Sequence, residues 1–135
     1  MNSSTGDSTR DPELSPERFG VVFQVAKELP NVSDRVIESQ GCTRKDADDL
    51  LRILREARGA IDETTVGVRF RLVPGRGNEL VLDASPALEI TAAPEDMAKW
   101  RRMLEAVCVS LGSTELYLRS GYREDEVRGV LDTLT

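Results

Sequence analysis

The chain has 135 residues, of which 39% are hydrophobic and 31% charged, a composition typical of one soluble globular domain with its own core. Its net charge of −6 argues against a generic nucleic-acid binder, because such binders rely on Lys and Arg contacts to phosphates. No apolar run is long enough to cross a bilayer, and no secretory signal opens the chain. We therefore expect a cytoplasmic protein with no membrane partner.

The first half of the chain predicts a polar tail followed by helices. Residues 1–15 have almost nothing to bury, so they are expected to be a disordered tail. Apolar residues at helical spacing then predict helices near 17–29, 32–40 and 43–58. The third helix has the clearest boundaries. Thr43 is an expected N-cap that can form a capping box with Asp46, and Gly59 is an expected stop.

The second half predicts a mixture of strands and helices. Residues 66–73 alternate between apolar and other side chains, and a Pro-Gly-Arg-Gly-Asn turn separates them from a returning strand over 79–83. This pattern predicts a β-hairpin with Arg76 at its tip. Further strands are expected near 88–91 and 114–119, and further helices near 94–111 and 122–134.

The order helix, helix, glycine turn, helix and hairpin resembles the winged helix-turn-helix family of DNA-binding regulators. The resemblance covers residues 16–83 and is densest over 41–61. It implies an α+β fold with a three-helix helix-turn-helix unit and a β-hairpin wing over 16–84. A strand-helix-strand-helix C-terminal part, 85–135, would pack on that unit. A long helix beside a winged domain commonly pairs two copies, so a homodimer is also expected.

The resemblance implies a set of DNA-binding residues. Thr43, Arg44, Lys45 and Asp48 would face the major groove of double-stranded DNA, and Arg76 would contact DNA from the wing. Residues 42–77 contain eight Lys/Arg and six Asp/Glu, whereas 1–41 contain four against seven and 78–135 contain six against eleven. The locally basic third is therefore the one that would touch DNA. The first functional hypothesis is a DNA-binding transcriptional regulator.

Two alternatives stay open. Asp46, Asp48 and Asp49 would repel phosphate from the third helix, which favours an ordinary amphipathic helix on a core. An alternative fold places the domain proper in residues 64–134, as an α+β sheet that the N-terminal helices cover. The second functional hypothesis is a small acidic protein-binding module, such as an inhibitor, immunity or adaptor protein. Such a module would bind a basic protein partner and no nucleic acid.

The sequence contains no recognisable catalytic chemistry. It has no histidine, two cysteines, no phosphate-binding loop and no nucleophile-elbow motif, so no catalytic residue, cofactor or metal is predicted and a non-enzyme is expected. Cys42 and Cys108 are expected to be reduced, half-buried thiols. The alternative for Cys42 is a redox-sensing thiol whose pKa is lowered by the neighbouring helix N-terminus. The acidic triplet Glu124-Asp125-Glu126 is expected to complement the dipole of the last helix.

Overall fold

The structure, a computed structural model, describes residues 11–75, 79–81 and 87–134. Its strands are β1 (Glu13–Leu14), β2 (Gly67–Leu72), β3 (Glu79–Val81) and β4 (Ala87–Ala92). Its helices are α1 (Pro16–Ala26), α2 (Asp34–Ser39), α3 (Arg44–Ala60), α4 (Pro94–Ser120) and α5 (Glu124–Asp132), with a 3-10 turn at Leu29–Asn31. The chain therefore has the mixed α+β class that the sequence predicts.

The helix predicted over 43–58 is confirmed as α3, and its start follows the predicted chemistry. The Thr43 hydroxyl accepts a hydrogen bond from the Asp46 backbone N–H at 3.1 Å. The Asp46 carboxylate accepts one from the Thr43 backbone N–H at 2.9 Å. Gly41, just before this capping box, has a φ of 75°, a conformation that favours glycine. One face of α3 is buried, through Ala47, Leu50, Leu51, Ile53, Leu54 and Ala57.

The first helix ends earlier than the predicted 17–29. α1 stops at Ala26, and Leu29–Asn31 form a separate 3-10 turn. Pro30 explains the difference, because proline lacks the backbone N–H and disfavours the α conformation in the residue before it. α1 packs against β2, α3, α4 and α5, so it is the central helix of the fold.

The predicted β-hairpin of 66–73 and 79–83 is wrong. The sheet has the order β1-β2-β4-β3, so β4 lies between the two strands that the sequence predicts to pair. β2 and β4 run parallel, with Val68 opposite Leu88 and Phe70 opposite Ile90, and β3 pairs antiparallel with β4. Burial explains this order. Five of the six β4 residues are buried, and a strand buried on both faces belongs in the interior of a sheet.

The sheet packs against α1 and α3. The alternating burial predicted for 66–73 is seen in β2, where Val68 and Phe70 are buried and Arg69 and Arg71 are exposed. The N-terminal helices therefore cover the sheet, as the alternative fold expects. The alternative fold also expects α4 and α5 to pack on the sheet. Their main contacts are instead with α1 and with each other.

The strand predicted over 114–119 is wrong, because these residues continue α4 as a helix. Gly112 has a φ of 77° and a ψ of 165°, so the chain kinks there and then resumes helical geometry. Beyond the kink, Leu116 and Ser120 are buried whereas Leu118 is 68% exposed. A strand would place these three residues on the same face, so the exposure of Leu118 between two buried residues excludes a strand and fits a helix.

The other two predicted helices, 94–111 and 122–134, are confirmed as the first part of α4 and as α5. Pro94 occupies the first turn of α4, as predicted. Among the helices described, none combines the length and the apolar composition needed to span a membrane.

Residues 11–15 belong to the fold, which corrects the disordered tail predicted over 1–15. β1 pairs antiparallel with β2 and places Leu14 opposite Val68. Leu14 is 1% exposed and is part of the hydrophobic core. Residues 1–10 lie outside the described residues.

Candidate functional site

Four of the predicted DNA-binding residues lie at the start of α3, after the turn that follows α2. α2 confirms the helix predicted over 32–40. Backbone hydrogen bonds close the turn, from the Gly41 N–H to the Glu38 carbonyl (2.9 Å) and from the Cys42 N–H to the Ile37 carbonyl (3.3 Å). The oxygen of the Thr43 hydroxyl caps α3, so this side chain has a structural role.

Arg44 donates hydrogen bonds to two residues just before α2 and to the first residue of α2. Its Nε donates to the Asp34 carboxylate at 2.7 Å, and its Nη1 donates to the Leu29 carbonyl at 2.9 Å. Its Nη2 donates to the Val32 carbonyl. The guanidinium thus connects the start of α3 to the 3-10 turn and to α2. This role could not be predicted from the sequence, because two of the three acceptors are backbone carbonyls, which every residue type provides.

Lys45 and Asp48 lie on the solvent face of α3. The Lys45 side chain is 82% exposed, and its Nζ lies 2.9 Å from an Asp49 oxygen. Arg52 lies 3.9 Å from Asp49 and 3.5 Å from Glu56. We call a set of charged residues on this helix the α3 stripe, which comprises Lys45, Asp48, Asp49, Arg52, Arg55, Glu56 and Arg58; all are exposed except Asp49, which is half-buried. Its four cations and three carboxylates give a formal charge of +1.

Two cations from α4 lie beside the start of α3. Lys99 Nζ is 3.9 Å from an Asp46 oxygen, and Arg102 Nε donates to the Gln40 carbonyl at 3.0 Å. Both residues come more than fifty positions after the turn, so no local sequence signal links them to it. The start of α3 therefore has more positive charge nearby than its own sequence indicates.

A groove of about 670 Å³ lies between α1 and α5. We call it the α1/α5 groove. Its lining comprises Glu17, Arg18, Val21, Tyr122, Asp125, Glu126, Gly129 and Val130. Val21 and Val130 are 7% and 5% exposed, so they form an apolar floor, and Tyr122 is half-buried beside them. The exposed Glu17, Asp125 and Glu126 place carboxylates around this floor.

These three carboxylates differ from their neighbours in having no ion-pair partner among the described residues. Glu124 lies 3.0 Å from Arg128, whereas the adjacent Asp125 and Glu126 accept only backbone hydrogen bonds near the start of α5. Each of those two bonds uses one carboxylate oxygen, and the other oxygen has no hydrogen-bond partner among the described residues. Among the described residues that line the groove, Arg18 is the one cation. The groove therefore keeps a net charge of −2.

Gly129 opens one wall of the α1/α5 groove. It lies inside α5, where a glycine is less favourable than an alanine by about 1 kcal/mol. A Cβ added at Gly129 meets no atom within 4 Å, so neither crowding nor a positive φ requires glycine there. The sequence shows a glycine within a predicted helix, but the groove beside it is visible only in the structure.

The two cysteines are both buried and both are free thiols. Burial raises the pKa of the Cys42 thiol above its ordinary value, and the nearby Arg102 offsets only part of this effect. The lowered pKa that the redox-sensing alternative expects for Cys42 is therefore wrong. Burial also raises the pKa of Cys108, to about 11.

In the part of the chain that the structure describes, no group of three or more His, Cys, Asp or Glu side chains is placed to hold a metal ion. Arg76, predicted at the tip of the wing, lies outside the described residues.

The chain matches no model of a known protein family, no curated protein and no solved structure.

Proposed function

We propose that this chain is a non-enzymatic protein-binding module that binds a positively charged partner protein at the α1/α5 groove. The observation that carries the proposal is the set of three carboxylates, Glu17, Asp125 and Glu126, which border an apolar floor and have no ion-pair partner among the described residues. A charge that is already paired within the protein contributes little to a partner. An unpaired charge beside apolar surface is available for both steering and contact.

The overall charge supports the same function. A net charge of −6 raises the rate at which a basic partner is encountered, because the field of the whole protein attracts it. The groove itself carries three carboxylates and one guanidinium. A basic protein surface thus meets favourable charge both at long range and at the contact.

The test is affinity capture with a groove whose three carboxylates are replaced by amides, which changes its net charge from −2 to +1. Wild-type protein and the triple variant Glu17→Gln, Asp125→Asn, Glu126→Gln are immobilised, and partners are captured from the native cells at about 0.1 M salt, where the Debye length is near 10 Å. We expect a basic protein that the wild type retains and the variant loses. Gln and Asn keep the hydrogen-bond acceptors at the start of α5, so the variant preserves the caps.

The matched control removes the same charge elsewhere. Glu38, Asp48 and Glu63 are exposed carboxylates outside the groove. The variant Glu38→Gln, Asp48→Asn, Glu63→Gln should retain the partner nearly as well as the wild type. Equal losses in the two triple variants, or a captured partner of acidic composition, would contradict the proposal.

A second candidate function is DNA binding through α3. The observation that favours it is the position of Lys99 and Arg102 beside the start of α3, where they add to the exposed Lys45. The first turn of a helix is where side chains of helix-turn-helix proteins reach bases and phosphates. The carboxylates within the α3 stripe and the internal bonds of Arg44 make this the less favoured candidate.

Anisotropy titrations with duplex DNA at about 50 mM salt, where phosphate contacts are strong, test this second candidate. A DNA binder should lose about one unit of salt slope for each phosphate-contacting lysine removed, in Lys45→Ala and in Lys99→Ala. Lys27→Ala, at an exposed lysine just after α1, is the matched control. A flat wild-type titration leaves the protein-binding function as the sole candidate.

A further inference from the structure

We infer that the partner inserts a large apolar side chain, flanked by Lys or Arg residues, into the α1/α5 groove beside Gly129. This inference rests on the proposed function and adds the chemistry of the partner segment. It identifies a single class of occupant, a basic amphipathic segment of a second protein.

The apolar part of the inference follows from the groove floor. Val21, Tyr122 and Val130 present apolar surface between the charged residues. A purely cationic segment would satisfy the carboxylates and leave this floor in contact with water. Covering the floor with an aliphatic or aromatic side chain removes apolar area from water, which is the main favourable contribution to association.

The cationic part follows from where the carboxylates lie. Glu17 comes from the first turn of α1, and Asp125 and Glu126 come from the first turn of α5. The two helices supply opposite walls of the groove, so each side of the floor has at least one carboxylate, and Arg18 lies beside Glu17 on the α1 side. A segment with a cation on each side of its apolar residue matches this arrangement, whereas an acidic segment meets like charge on both walls.

The size of the groove limits what enters it. Its volume of about 670 Å³ falls in the range of about 300–1,000 Å³ typical of clefts that bind small ligands or a few side chains. Because Gly129 contributes no side chain, the groove is open where the apolar residue would be seated. Filling that space from within the protein should therefore compete directly with the partner.

Backbone amide NMR with three synthetic peptides tests the inference. The first peptide carries leucine and lysine at helical spacing, the second has glycine in place of leucine, and the third has glutamate in place of lysine. We expect the leucine–lysine peptide to shift the signals of Val21, Gly129 and Val130 saturably. The glycine–lysine peptide should bind at least about tenfold more weakly, the equivalent of one buried anchor side chain, and the leucine–glutamate peptide should not bind.

Two matched variants show whether the groove is entered. Gly129→Gln should weaken binding of the leucine–lysine peptide at least about tenfold, because the new side chain occupies the space of the anchor. Gly59→Gln should leave binding unchanged. Gly59 is also an exposed helical glycine with no atom within 4 Å of an added Cβ, and it lies on α3. Thermal unfolding of both variants checks that the fold is kept.

The outcomes separate this inference from the proposed function. If both lysine peptides bind equally and Gly129→Gln has no effect, the seated anchor is wrong. The charge-driven function still stands in that case, provided that the Glu17→Gln, Asp125→Asn, Glu126→Gln variant loses both peptides. If that variant binds them like the wild type, the proposed function is wrong. Shifts at the groove that depend on protein concentration without peptide would indicate a second copy as the occupant and would also overturn the inference.

Discussion

The α3 stripe and the α1/α5 groove are both rich in charged residues, but they use their charges differently. On α3, Lys45 lies 2.9 Å from Asp49, and Arg52 lies between Asp49 and Glu56. In the groove, Glu17, Asp125 and Glu126 have no ion-pair partner among the described residues. The stripe therefore pairs Lys45, Asp49, Arg52 and Glu56 within one helix, whereas the groove carboxylates have no such pairs.

This difference shows why a count of charges along a segment is a poor guide to a binding surface. Residues 42–77 have an excess of two Lys/Arg in the sequence, but Lys45 and Arg52 on the exposed face of α3 lie close to carboxylates of the same helix. Pairing at a spacing of three or four residues removes charge from one helix face. The groove carboxylates, by contrast, come from two helices at opposite ends of the chain. Four predictions follow from the contrast between the two surfaces.

The largest effect is expected on the buried side of α3. Leu51 is 5% exposed, so Leu51→Ala should lower the free energy of unfolding by about 2–5 kcal/mol through lost burial and a residual cavity. Arg52, its neighbour on the stripe, is 58% exposed, and Arg52→Ala should cost less than about 1 kcal/mol. Urea denaturation measures both. Equal midpoints would mean that α3 does not separate a buried from a solvent face.

A smaller loss of stability is expected when Arg44 is replaced, because its side chain connects the start of α3 to neighbouring segments. Arg44→Ala should cost about 1–3 kcal/mol, because it removes one charged pair and the Arg44 hydrogen bonds to the Leu29 and Val32 carbonyls. Lys45→Ala, one residue on and 82% exposed, should change stability by less than about 0.5 kcal/mol. Urea midpoints that rank the two variants in reverse order would contradict the role assigned to Arg44.

The next prediction concerns the stability of the fold at alkaline pH. It involves the two buried cysteines, Cys42 beside α3 and Cys108 on α4. Burial raises the pKa of Cys108 from an ordinary value near 9.0 to about 11. The neutral thiol is thus favoured in the folded state, so its contribution is complete below pH 9 and is lost as the pH rises towards 11. Between these pH values the wild type should lose about 1–3 kcal/mol more stability than Cys108→Ala does.

Chemical denaturation at a series of pH values measures this difference. Parallel pH profiles for the wild type and Cys108→Ala would contradict it. Cys42, whose pKa is also raised by burial, should contribute in the same direction, so the double variant should have the flattest profile.

The smallest effect is expected in the groove. Replacing Glu17, Asp125 and Glu126 by their amides should change the free energy of unfolding by less than about 0.5 kcal/mol per substitution, because these carboxylates are exposed and no internal ion pair is broken. Loss of partner binding with stability kept would sharpen the contrast with Arg44. A loss of several kcal/mol would instead indicate that the groove carboxylates hold the fold together.

Local features of the fold could be predicted from the sequence, and long-range ones could not. The capping box of Thr43 and Asp46 and the turn at Gly41 depend on residues within four positions of one another, so the sequence specifies them. The order of the strands depends on which strand is buried on both faces. Ala87–Ala92 competes with Glu79–Val81 for the place beside β2, and no local pattern decides that competition.

The candidate site follows the same division. The acidic triplet at the start of α5 is visible in the sequence, but Glu17 joins it only because α1 packs against α5. The internal role of Arg44 depends on backbone carbonyls at Leu29 and Val32, which every residue type provides. Beyond the Gly112 kink, Leu116 and Leu118 alternate with polar residues, so the sequence resembles a strand although the tertiary fold selects a helix.

We expect the short segment before α1 to limit self-association, because it covers one edge of β2. The Phe70 N–H donates to the Pro12 carbonyl at 2.8 Å, and the Leu72 N–H donates to the Asp11 carboxylate at 3.1 Å. Exposed strand edges are templates for aggregation, and a short strand with a neighbouring proline is a common way to block them. A tag placed before residue 11 leaves this protection in place. A truncation that begins at α1 would uncover the backbone of β2 and give adjacent molecules a strand to pair with.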